Sequence, residues 1–239
     1  MADSDTPSLP KTGEVVLAAW SRVHAVLMLT AALAAAVVRH PAPAALLAAP
    51  SFAWLLWRYR GRYTAAHGFG AANVVTLLRL ALVLAISLVL HRASGLVLGT
   101  LVFVIFALDG LDGWLARSRQ LSSEFGAHFD METDALFVLA LGLELWLGER
   151  YGAWILLTGP LRYVYVLCLE LLPSSRGDMP RSKLGRRAFV ALISGLGLAF
   201  LLPALYGTLA AAIGTALVAY SFARSFWWSY GTLGARPRR

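Results

Sequence analysis

Four aspartates fall in a fixed order along this 239-residue chain: Asp109, Asp112, Asp130 and Asp134. Gly113, Ala116 and Arg117 follow the second of them, and Gly126 precedes the third. Asp109 and Asp112 are three residues apart and Asp130 and Asp134 four apart, so on two helices each pair shares a face. The first pair closes a hydrophobic stretch. A carboxylate near lipid costs roughly 2.5 to 3.5 kcal/mol even on lenient insertion scales, so four of them must face a wet, charged or metal-filled space. Bare, they would repel by about 3 kcal/mol per pair at ~5 Å and an effective dielectric constant near 20. Divalent cations relieve that repulsion, and oxygen ligands without a Cys or His framework favour Mg²⁺ or Mn²⁺, with Ca²⁺ behind, over zinc. Gly113 and Gly126 lack side chains where a bulky group must approach helical backbone, and Arg117 adds a fixed cation. Metal ions beside an arginine point to phosphate chemistry.

The elements that must carry these residues read as membrane helices. Hydrophobic residues make up 59% of the chain, which places it with polytopic membrane proteins and leaves no case for a soluble globular domain. Apolar stretches near the ~20 residues that cross a bilayer run at 15–38, 42–57, 72–90, 95–116, 133–149, 151–172, 187–203 and 205–226, eight in all. Pro160 and Pro203 are expected to kink or end helices. The polar start, Met1 to Lys11, has no basic n-region, so insertion is expected through the first spans. With both termini cytoplasmic, the inner side collects Lys11, Arg58, Arg60, Arg62, Arg117, Arg119 and the arginines of 176–187 and 224–239, whereas the outer side holds Arg39, Arg92 and Arg150. That asymmetry is the positive-inside pattern, and it accounts for the net charge of +8 without nucleic acid. The same orientation brings all four aspartates to the cytoplasmic ends of spans four and five. Cys168 is the only cysteine, which excludes an intrachain disulfide and a thiolate metal site. Trp54, Trp57, Tyr59, Tyr63, Trp227, Trp228 and Tyr230 mark one membrane edge, and Tyr151 with Trp154 the other.

The order Asp109-x-x-Asp112-Gly113-x-x-Ala116-Arg117, eight residues, Gly126-x-x-x-Asp130-x-x-x-Asp134 closely resembles the signature of the CDP-alcohol phosphotransferase family, with no signature position missing. Asn73-x-x-Thr76-x-x-Arg79 resembles the opening of that family's first core helix, and the likeness covers roughly residues 70 to 230. Membrane-embedded prenyltransferases also use Asp-rich pairs with Mg²⁺, but they do not require the Gly-x-x-Ala-Arg continuation. The resemblance implies an all-α, polytopic membrane bundle. In this division 1–14 is a polar tail, 15–57 an accessory N-terminal transmembrane hairpin, 58–71 a cytoplasmic juxtamembrane segment, 72–230 a six-span catalytic core and 231–239 a basic tail. It further implies a transferase of phospholipid synthesis that moves a phosphatidyl group from CDP-diacylglycerol, or a related CDP-alcohol, to a small alcohol and releases CMP. Two Mg²⁺ or Mn²⁺ ions would be held by Asp109, Asp112, Asp130 and Asp134, with Asp134 also the general base. Asn73, Thr76, Asp112, Gly113, Ala116, Arg117 and Gly126 would form the nucleotide pocket. The implied setting is an integral protein of a bacterial inner membrane, working as a homodimer among membrane lipids.

The acceptor is less legible. Arg181, Lys183, Arg187 and Arg224 would lie on the same side as the acids and would suit an anionic acceptor, although cytoplasmic loops are basic in any case. The loop from Arg176 to Arg187 matches the Gly-Lys-x-Lys-Thr stretch of phosphatidylglycerophosphate synthases only loosely. His128 is expected to bond to backbone or water, and Glu132, off the Asp130/Asp134 face, to be solvated. Arg22, His24, Glu144, Arg162 and Glu170 read as internal pairs or snorkelling side chains. Arg79 stands apart, one turn beyond Asn73 and Thr76. Gly95-x-x-x-Gly99 suits close helix packing within the chain or across a dimer. Two rival readings are a CDP-choline or CDP-ethanolamine headgroup transferase and a catalytically silent transporter or lipid-binding protein on the same fold.

Overall fold

The computed structural model describes residues 12–64, 68–118, 123–171 and 183–230. Eight α-helices and one short 3₁₀ helix are found among them, with no strand. In chain order these are α1 (Thr12–Val38), α2 (Ala42–Arg58), α3 (Ala71–Leu88), α4 (Gly95–Ser118), α5 (Glu124–Leu147), the 3₁₀ turn Ala153–Leu157, α6 (Pro160–Leu171), α7 (Lys183–Leu201) and α8 (Ala204–Tyr230). Four of them, α1, α3, α7 and α8, are long and apolar enough to cross a membrane by length and composition, and 95–111 and 153–168 are shorter apolar helices. The outward faces of the helices carry large apolar side chains such as Val37, Leu46, Leu96, Leu205 and Trp227. This is the surface of a polytopic bundle whose solvent is lipid.

α5 is the axis. From Ala135 to Leu145 every residue is buried, as expected for a helix that is apolar all round and packed on all sides. It touches α1, α2, α3, α6, α7 and the 3₁₀ turn. Its start explains where the acids sit: Ser123 is the N-cap, its Oγ accepting from Gly126 N at 3.0 Å, and Glu124 places negative charge in the first turn. Asp130 and Asp134 then follow about two and three turns from that cap. The helix begins nine residues before the apolar stretch at 133–149, because its first turns are acidic and polar.

Two prolines act as anticipated. The stretch 151–172 is broken into the 3₁₀ turn and α6, with Pro160 as the first residue of the latter, and Pro203 separates α7 from α8. Gly95 and Gly99 pack within the chain. A Cβ on Gly99 would lie 2.6 Å from Leu201 Cγ, and Gly95 faces the Phe200 carbonyl, so α4 meets the end of α7 at backbone distance. At that same end Arg150 donates to Phe200 O at 3.3 Å and Leu202 O at 2.9 Å, and Tyr151 to Ala199 O at 2.6 Å. These bonds satisfy carbonyls that the end of α7 leaves open. At the opposite end, Tyr59 Oη donates to Gly13 O at 2.6 Å and its ring lies 5.4 Å from that of Phe125. The hairpin α1–α2 is thereby tied to the start of α5, where the acids are.

Candidate metal centre

The first turns of α3, the last turns of α4 and the first turns of α5 meet at one end of the bundle. Carboxylate oxygens of Asp109 from α4 and of Asp130 and Asp134 from α5 lie within 4.8 Å of one another. At that spacing each pair repels by about 3.5 kcal/mol with an effective dielectric constant near 20. Arg79 answers the repulsion. Its side chain is 1% exposed and reaches Asp109 Oδ1 at 3.0 Å through Nη2 and Asp130 Oδ1 at 2.6 Å through Nη1, and Nη2 also donates to Asp134 Oδ1. One guanidinium from a third helix thus holds three carboxylates in a single cluster. A fork of five donors can do this where a lysine ammonium, a point charge with three, cannot span the same geometry.

The donor set fits a hard divalent cation. Three carboxylates converge with no histidine or cysteine among them, which suits Mg²⁺ or Mn²⁺ and not zinc. An octahedral ion with oxygens at ~2.1 Å sets adjacent ligands ~3.0 Å and opposite ones ~4.2 Å apart, so the three oxygens must draw closer than their 4.8 Å limit to share one ion. The side chains remain wet enough for exchange, with Asp109 27%, Asp130 39% and Asp134 19% exposed.

Asn73 and Thr76, expected at the nucleotide pocket, are buried on α3 beside this cluster. Asn73 Nδ2 donates to Phe69 O at 2.6 Å and Thr76 Oγ1 to Ala72 O at 3.2 Å. The Asn73 carboxamide faces Gly126: a Cβ at Gly126 would lie 2.9 Å from Asn73 Oδ1 and 3.1 Å from Ser123 Oγ. That is the close approach for which a glycine is needed. Asp112, Gly113, Ala116 and Arg117 lie on the last turns of α4, but the side chains of Asp112, Ala116 and Arg117 are outside the described ones. Among the acceptor candidates, Arg187 and Arg224 are exposed, Arg181 lies outside the described residues, and so does the side chain of Lys183. Among the described cations of the stretch that ends at Arg187, Arg186 on α7 bears electrostatically on Asp109.

Three other polar residues are placed differently from, or more sharply than, the sequence reading. Glu132 is not solvated: it is wholly buried, and Arg162 Nη2 donates to its Oε1 at 3.0 Å. Arg162 lies on α6, so the pair ties that helix to α5, a contact that hydropathy alone does not reveal. His128 Nδ1 donates to Glu124 O at 3.0 Å, a backbone bond as anticipated. His24 is buried among the rings of Trp20, Phe52 and Tyr163, and its Nδ1 lies 2.9 Å from Ser51 Oγ. Asp134 also lines a second space. A cavity of about 140 Å³ runs from Asp134 and Arg162 past Met131, Val138, Leu192 and Phe222, and its walls are almost entirely apolar.

Comparison with protein families finds that the model described as CDP-alcohol phosphatidyltransferase matches residues 69–227. The match begins at α3 and ends within α8, so it includes the whole cluster and excludes α1 and α2. Comparisons with curated proteins and with solved structures gave no match.

Proposed function

Because the chain belongs to the CDP-alcohol phosphatidyltransferase family, which transfers phosphatidyl groups from a CDP-alcohol, we propose that it moves the phosphatidyl group of CDP-diacylglycerol onto a small alcohol, with release of CMP. The observation that carries this reading is the convergence of Asp109, Asp130 and Asp134 on one point between three helices. Divalent ions held there by these residues and Asp112 would neutralise the pyrophosphate oxygens and polarise the phosphorus under attack. The residues of the chain do the rest. Asp134 takes the proton of the attacking hydroxyl as the oxygen–phosphorus bond forms and the bond to CMP breaks. Arg79 gathers the three carboxylates at one point, and the bound ions would take over its counter-charge. Asn73, Thr76, Gly113, Ala116, Arg117 and Gly126 seat the nucleotide, and the glycines allow it to approach helical backbone.

The basic residues support placing this end of the bundle in the cytoplasm. Arg58 ends α2 and Arg60 and Arg62 follow it at the acidic end, and Arg186 and Arg187 lie in the first turns of α7 there, in accord with the positive-inside rule. The side chains of Arg186, Arg187 and Arg224 offer an anionic acceptor its counter-charges. A headgroup transferase has one observation in its favour: the cavity beside Asp134 is apolar, which would suit a lipid alcohol as the attacking group.

The test is CMP release by the purified protein with Mg²⁺ or Mn²⁺. One arm pairs CDP-diacylglycerol with a panel of small alcohols and alcohol phosphates. The other pairs diacylglycerol with CDP-choline or CDP-ethanolamine. Release in the first arm alone is expected, release in the second alone replaces the reading with the headgroup transferase, and release in neither by folded, metal-bound protein replaces it with a silent member of the fold.

A further inference from the structure

The α1–α2 hairpin lies outside the residues that match the family, and its outward face is not smooth. A groove of about 560 Å³ runs between the two helices, walled by Val16, Trp20, Val23 and Leu27 of α1 and by Trp54 and Arg58 of α2. That volume falls within the range of small-molecule sites. The α1 residues recur at intervals of three and four, so they form one stripe. From Val16 to Leu27 the stripe rises about 16 Å, which is close to half of a ~30 Å hydrocarbon core. The groove is therefore one leaflet deep.

Its two ends differ in chemistry. The inner end, at Leu27, is apolar. The mouth lies at the acidic end of the bundle, because the Tyr59 bond to Gly13 brings the start of α1 and the end of α2 together there. Arg58, the last residue of α2, is exposed at this mouth, and Trp54, one turn earlier, is 45% exposed on the same wall. The floor is firm: Trp20 Nε1 donates to Ser51 O at 3.2 Å and to Ser51 Oγ at 3.1 Å, which locks the indole and the two helices in place. A rigid apolar slot of one-leaflet length, with a tryptophan and then a guanidinium where headgroups lie, is complementary in both length and charge to a single phospholipid bearing a net negative head.

We infer that the accessory hairpin holds one anionic phospholipid, an acyl chain lying along α1 between Trp20 and Trp54 and the headgroup phosphate paired with Arg58. This site is independent of the reaction proposed above, since none of its residues belongs to the metal centre. It gives the two additional helices a binding role of their own.

Native mass spectrometry of the delipidated full-length protein, titrated with phosphatidylglycerol or with phosphatidylcholine of the same chains, tests the inference. The parent protein is expected to retain one phosphatidylglycerol in preference to phosphatidylcholine. Arg58→Gln should weaken phosphatidylglycerol binding about fivefold and leave phosphatidylcholine unchanged, the effect of one basic side chain at a membrane surface. Val23→Trp fills the groove from its 60% exposed wall and should remove the retained lipid with Arg58 intact. Arg60→Gln, an exposed arginine outside the groove, should change nothing. Equal binding of the two lipids, or unchanged retention in both Arg58→Gln and Val23→Trp, would mean annular lipid only and would overturn the site. A dimer whose second copy crosslinks into the groove would overturn it as well.

Discussion

Arg79→Met removes the charge that holds the carboxylate cluster together and keeps much of the side chain's volume. Arg79 is 1% exposed and contacts Asp109, Asp130 and Asp134, so its loss leaves three acids within 4.8 Å of one another without the cation that touches all of them. Breaking a buried ion pair by removing one partner costs roughly 3 to 5 kcal/mol. The partial exposure of the three acids argues for the lower end, about 3 kcal/mol. A divalent ion can replace the lost positive charge, so the penalty should be conditional on metal. Thermal unfolding in detergent, followed by intrinsic fluorescence, should show the variant well below the parent in chelator and close to it in saturating Mn²⁺. The apparent affinity for Mn²⁺ should rise in the variant, because the ion no longer competes with a guanidinium. A variant as stable as the parent in chelator, or one that Mn²⁺ stabilises no more than it does the parent, would refute this account of Arg79.

Three further outcomes follow from the same geometry. Asp134→Asn should lower CMP release by about 10² to 10⁴, the usual contribution of a positioned base, with nucleotide binding retained; near-normal turnover would remove Asp134 from that role. Gly126→Ala should push the Asn73 carboxamide away from α5, since the added Cβ would lie 2.9 Å from Asn73 Oδ1, and lower kcat by on the order of 10-fold or more at unchanged helix content; kinetics like the parent's would show that this contact does not position the site. For Glu132 and Arg162, either single change to Met should destabilise by about 3 kcal/mol, whereas the double change should cost less than the sum, because the survivor of a broken buried pair carries the penalty; additive losses in thermal unfolding would deny that pairing.

That Asp130 and Asp134 point the same way was legible because the helical period leaves little choice: residues four apart share a face whatever surrounds them. The breaks at Pro160 and Pro203 were legible for a similarly local reason. What sequence periodicity could not reach depends on contacts between elements. Arg79 precedes Asp134 by 55 residues and stood out only by following Asn73 and Thr76, yet its guanidinium lies at the middle of the cluster. Glu132 reads as solvent-facing until the bundle is seen to bury it against Arg162 of α6. The start of α5 was hidden because Asp130, Glu132 and Asp134 lower the hydropathy of turns that an N-cap and tertiary packing nonetheless make helical. Gly95 and Gly99 announce a close contact without saying with what, and the partner proves to be the end of α7. Arg186 differs from its neighbour Arg187 only in the face it takes on α7, which residue type alone does not distinguish.

The central claim is that these aspartates clasp divalent ions against a cytidylyl-activated substrate. Crystals of the protein grown with Mn²⁺ and CDP test it most directly through the anomalous signal of the metal. The account predicts Mn²⁺ within coordination distance of Asp109, Asp130 and Asp134, in contact with the nucleotide phosphates, and its loss in Asp130→Asn. Nucleotide bound elsewhere, or undiminished Mn²⁺ in that variant, would contradict it.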